Sequence, residues 1–95
     1  MNKIIFSKNA TDALLSQASY IYQLTLDVNK ADIYLDEMED YIRNTLRIYP
    51  NIGRPAPELG LNIRKLVYKR YSILYRIENI QIEILSIYRE NLPNI

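Results

Sequence analysis

Between Arg64 and Arg76 the chain places five cations, Arg64, Lys65, Lys69, Arg70 and Arg76, with no carboxylate among them. Four tyrosines, Tyr68, Tyr71, Tyr75 and Tyr88, lie in or just beyond the same stretch. Cations at this density suit an anionic partner. Interleaved with rings on a sheet, they describe an RNA-binding platform, on which exposed aromatics stack bases and Lys or Arg holds phosphates. That chemistry requires the rings to face outward. Tyr71 and Tyr75 alternate with Ile73 and Ile77, a pattern that places them in the core or in cross-strand pairs worth about 0.2–1 kcal/mol each. Arg76 can pair with Glu83 across a hairpin, Lys69 and Arg70 can form a solvated turn, and Tyr88-Arg89 can be a strand end. For Arg64, Lys65 and Arg76 structural and functional roles both stand.

The elements that position these residues follow from periodicity. The chain has 95 residues, 48% of them apolar and 24% charged, which supports one folded domain spanning 1–95 with one core. It has no cysteine and no histidine, and no metal-ligand cluster or cofactor motif, so neither is expected. No apolar window approaches a membrane span and Met1-Asn2-Lys3 leads into too short an apolar run for a signal peptide, so a cytoplasmic protein with no membrane partner is expected. Residues 1–53 carry five Lys/Arg against seven Asp/Glu, net −2, and residues 54–95 seven against four, net +3. The basic half therefore calls for a partner, or else is a solvated sheet face.

Lys3 to Ser7 reads as a strand. From Ala10 the period changes, with Ala10, Leu14, Ala18, Ile21 and Leu24 on one helical face and Asn9 or Thr11 as cap. Asp27 or Asn29 caps a second helix, whose stripe is Val28, Ala31, Leu35, Met38, Ile42 and Tyr49. The two helices form an antiparallel hairpin. Pro50 stops the second, and the segment PNIGRPAPELG reads as irregular loop. Three strands follow, Ile63–Lys69, Tyr71–Ile77 and Ile80–Tyr88, the last two joined at Glu78-Asn79 as an antiparallel meander. Tyr71, Ile73, Tyr75 and Ile77 share one face with the helices, and Ile80, Ile82 and Ile84 oppose Gln81 and Glu83. Ile84, Leu85 and Ile87 break the alternation, which points to a second cover there, such as a partner segment. The fold class is α+β.

This order of elements, with YPNIGRP after the second helix, ELG beyond it, RKL at Arg64 to Leu66, YSILYRI at Tyr71 to Ile77 and IEILSIYRE at Ile82 to Glu90, resembles the RelE/ParE superfamily of toxins from type II toxin-antitoxin modules. The resemblance covers nearly the whole chain. It implies a small sheet with two helices on it, neutralised by a cognate antitoxin; the apolar end of the last strand adds the expectation of a homodimer or a toxin-antitoxin heteromer.

Two activities occur in that superfamily. RelE-like members cleave mRNA on the ribosome, which requires an acid, a base and cations that hold a dianionic transition state. The resemblance assigns that role here to Lys65, Arg76, Tyr88 and Arg89. Ser72, however, stands where the RelE-like pattern has arginine, and Tyr88 where many members have histidine. ParE-like members inhibit DNA gyrase and cut no RNA. IGRP, ELG, RKL and YSILYRI fit that pattern better, so the expectation is a ParE-like toxin whose surface for target or antitoxin comprises Arg64, Lys65, Arg76, Leu85, Ile87, Tyr88 and Arg89, with the tail to Ile95 as a further contact. The antitoxin segment crossing the cations should be acidic.

Overall fold

The computed structural model describes residues 3–89. In chain order these form β1 (Lys3–Phe6), α1 (Lys8–Thr25), α2 (Val28–Ile48), β2 (Arg54–Pro55), a single 3₁₀ turn (Pro57–Leu59), β3 (Ile63–Tyr68), β4 (Tyr71–Glu78) and β5 (Gln81–Arg89). The five strands make one sheet in the order β1-β5-β4-β3-β2. The last three strands form the expected meander. β1 runs parallel to β5, so the sheet as a whole is mixed.

Ser7 caps α1, two residues earlier than Asn9 and four earlier than Thr11, the caps expected from sequence. Its Oγ accepts from the Ala10 amide at 3.0 Å and donates to the Leu85 carbonyl at 3.0 Å, tying the start of the helix to β5. Asp27 caps α2, accepting from the amides of Asn29 and Lys30. Between the helices the chain turns in two residues, with Leu26 in the left-handed region at φ 54°. The helical stripes pack as expected only where they lie over the sheet: Ala10, Leu14, Ala31, Met38 and Ile42 are buried, and so is Leu46, which the stripe read from sequence left out. Toward the tip of the hairpin and past its C-terminal end burial fails, and Leu24, Val28 and Tyr49 are each at least 60% exposed.

The core joins Ala10, Leu14, Met38, Ile42 and Leu46 of the helices to Leu66, Tyr71, Ile73, Tyr75, Ile82, Ile84 and Ile87 of the sheet. The broken alternation in β5 has a local cause. The register runs Leu74 to Ser86 and Tyr75 to Ile84, leaving Leu85 unpaired as a bulge, and one extra residue returns Ile87 to the same face as Ile84. Both are buried, so the irregular pattern serves this chain's own core. Three further readings are corrected. The β4–β5 turn falls on Asn79-Ile80, one residue later than expected, which leaves Ile80 75% exposed. Lys69 belongs to the β3–β4 turn. The loop after Pro50 is not wholly irregular, since Arg54 and Pro55 pair with Lys65 and Arg64 and a 3₁₀ turn follows.

Candidate functional site

Residues directly paired across a sheet share a face, so the register sorts the candidate residues. Lys65 pairs with Leu74, and Ser72 with Tyr88. Arg76 pairs with both Ile63 and Glu83. These lie on the face away from the helices, where Arg54 joins them as the partner of Lys65. The Lys65 Nζ sits 5.9 Å from the centre of the Tyr88 ring, within reach of a weak cation–π attraction. The Arg76 guanidinium lies 3.8 Å from the Glu78 carboxylate and 4.0 Å from that of Glu83. Ser72 is fully buried.

Three candidates fall elsewhere. Arg64 pairs with Tyr75, and together they clasp the loop after α2. The Arg64 Nη1 donates to the carbonyls of Asn51 at 3.1 Å and Gly53 at 2.6 Å. The Tyr75 hydroxyl donates to the Pro50 carbonyl at 2.8 Å and accepts from the Gly53 amide at 2.9 Å. A Cβ at Gly53 would come 2.8 Å from the Tyr75 hydroxyl and 2.9 Å from the Lys65 carbonyl. Only glycine fits there, which gives YPNIGRP a structural meaning. Burial raises the pKa of the Tyr75 hydroxyl, opposed by the Gly53 amide and the Arg64 charge. Ile87, read from sequence as a partner contact, is 2% exposed and belongs to the core because the bulge turns it inward.

Arg89 is separated from Tyr88 by the alternation of the strand. It pairs with Tyr71, on the helix side, and its charge acts on the Tyr34 hydroxyl, whose pKa burial raises. Tyr34 meets Tyr71 edge to face at 5.8 Å. The four residues of the proposed cleavage set are therefore divided between two faces. Leu85 is half-buried at the bulge. Glu90 and residues 91–95 lie outside the described residues.

Sequence reading missed Arg54, because its segment was read as loop. Its exposed guanidinium reaches Glu58 at 3.4 Å. Glu58 itself is held below the usual carboxylate range, first by its own backbone amide and then by Arg54. The clasp was also missed, although glycine between two prolines, followed by arginine and alternating tyrosines, is a signal that could have found it. Beside the clasp a concavity of about 550 Å³ opens, lined by Pro55, Pro57, Leu61, Ile63 and Arg64. Lys65, Arg76 and Tyr88 stand outside it on open sheet.

The chain is thus a five-stranded mixed sheet, covered by a helical hairpin on one face and carrying Arg54, Lys65 and Arg76 on the other. A protein described as "Chromosomal ParDE TA system from P. aeruginosa" superposes with a TM-score of 0.78 over 96% of this chain and 98% of that one, at 20% identity. The RelBE2 toxin-antitoxin complex from Mycobacterium tuberculosis matches at 0.69, over 94% and 98%, at 19% identity. No curated protein matches by sequence. The family model for the ParE toxin of type II toxin-antitoxin systems, parDE, matches residues 4–91. The chain belongs to that family of toxins. Among the described residues no helix is long and apolar enough to cross a membrane.

Proposed function

We propose that this chain arrests bacterial growth in the cytoplasm by holding DNA gyrase through protein contacts, without cleaving RNA, and that a cognate antitoxin keeps it silent by covering its sheet. The antitoxin is carried over from the two solved relatives, which are described as parts of toxin-antitoxin systems. The observation that carries the choice against a nuclease is the state of the cationic face. Cleavage needs positive charge concentrated on a dianionic transition state. Arg76 already faces two carboxylates, and Arg89 sits on the other side of the sheet from Tyr88. Lys65, Arg76, Leu85, Tyr88 and Arg89 remain the proposed contacts for target or antitoxin. Arg64 is spent on the clasp and Ile87 on the core.

The test pairs two assays on the purified chain, gyrase supercoiling and mapping of ribosome-bound transcripts. Inhibited supercoiling with intact transcripts is expected. Tyr88→Phe, which removes only a hydroxyl, should remain toxic. Transcripts cut at defined sites, with a loss of about 10²- to 10⁴-fold in cleavage on Tyr88→Phe or Lys65→Ala, would reverse the assignment to the RelE-like ribosome-dependent nuclease. The RNA-platform reading is not favoured, since Tyr71 and Tyr75 are buried under the helices.

A further inference from the structure

The turn between β3 and β4 is Lys69-Arg70, and both residues take positive φ, 46° and 71°. Two-residue hairpin turns in this conformation favour Asn and Gly, because a Cβ crowds the backbone in the left-handed region. Elsewhere the chain follows that preference, with Asn62 at 61° and Asn79 at 36°. Leu26 is a single left-handed residue at a helix C-terminus, where glycine is usual, and it brings no charge to its position. Among the described residues, only the β3–β4 turn sets two long cationic side chains in succession where Asn-Gly would be easier.

Both side chains are exposed. The Lys69 Nζ lies 5.3 Å from the centre of the Tyr68 ring, which is itself stacked on Tyr41 at 3.9 Å. The ring thus offers the ammonium a weak cation–π contact. Neither Lys69 nor Arg70 is paired with a carboxylate among the described residues. Arg89, opposite Tyr71 in the register, adds a third cation to the same corner. Strain kept where a better residue is available, and charge left unneutralised beside it, mark a surface shaped for something other than folding.

We propose that Lys69 and Arg70 are a contact pair that docks on an acidic patch of the protein this toxin inhibits, an inference that rests on the gyrase reading above. A protein patch fits the corner better than a nucleic acid does. Val67, 57% exposed next to the turn, offers apolar area of the kind that shields charge pairs from water in protein interfaces. A net charge of +1 is also far from the strongly basic balance of nucleic-acid binders.

The test is the double variant Lys69→Asn/Arg70→Gly. It should raise the thermal midpoint by about 4–8 °C while weakening inhibition of supercoiling by about tenfold or more. Lys69→Glu, which keeps the turn strained and reverses one charge, should weaken inhibition with no gain in midpoint. Full inhibition by the folded double variant would overturn the inference and leave the gyrase reading standing. A native chain that does not inhibit gyrase would sink that reading, and the inference with it. Saturable binding of the native chain to a 20-base-pair duplex alone, lost in the double variant, would assign the turn to phosphate contact and refute the protein patch.

Discussion

Two tyrosines show how hydrogen bonding decides the value of a single hydroxyl. Tyr75 makes two hydrogen bonds in the clasp, whereas the buried Tyr34 hydroxyl lies near that of Tyr71 but makes no hydrogen bond of good geometry among the described residues. Tyr75→Phe leaves the Gly53 amide without its acceptor and should cost about 1–3 kcal/mol, while Tyr34→Phe removes an unpaired polar group and should leave stability unchanged or raise it. Urea unfolding of both variants checks the contrast. Burial also raises the Tyr75 pKa above its ordinary 10.0, so the folded protein keeps a proton that the unfolded chain releases first. The resulting stability is complete below about pH 10 and is lost as pH rises through the folded-state value. Tyr75→Phe should therefore flatten part of the alkaline decline, measured by repeating the urea titrations from pH 8 upward.

At the tip of the helical hairpin Leu24, Leu26 and Val28 are exposed, while a left-handed Leu26 and the Asp27 cap shape the turn. α1 ends at Leu26, left-handed and 79% exposed, a position where glycine adopts the same angle without steric cost. Leu26→Gly should stabilise the protein by about 0.5–1 kcal/mol, the relief of the left-handed strain being partly offset by the greater freedom of glycine in the unfolded chain. A rise in the thermal midpoint checks it, and a fall would show that the leucine side chain packs on something in solution. At the other end of α1, Ser7 joins helix to bulge through the Leu85 carbonyl. The element that seats Ile87 in the core is thus fixed by a residue far away in sequence.

Across the whole molecule, net charge divides at −2 for residues 1–53 and +3 for residues 54–95. The fold keeps that division in space, because the acidic half is largely helix and the basic half largely sheet. An antitoxin that neutralises the sheet face should carry acidic residues across Lys65 and Arg76, and its affinity should fall as ionic strength rises. Titration of the complex at low and high salt measures this, and an unchanged dissociation constant would remove the electrostatic contribution. Expression of this chain alone should arrest growth, and co-expression of the antitoxin should restore it. Unimpaired growth with folded, abundant protein would count against toxicity.

Periodicity alone was enough to define the two helices, the three C-terminal strands and the inward face of Tyr71, Ile73 and Tyr75, because burial repeats with the local geometry of helix and strand. The motif stretches and their order marked the family, since they run along nearly the whole chain. The parallel pairing of β1 with β5 and the clasp around Gly53 join residues distant in sequence; the broken alternation at Leu85 and the glycine between two prolines marked where something irregular sits, but a local pattern does not name the residue across from it. Hence Ile87 read as a partner contact when the bulge had turned it inward, and Arg64 stood as a candidate contact with its structural role undecided until its donors were found on the carbonyls of Asn51 and Gly53. Only the tertiary structure placed Tyr88 on the open face and Arg89 on the helix side. Neighbours on a strand point to opposite faces, and which face meets the helices is settled when the strands pair.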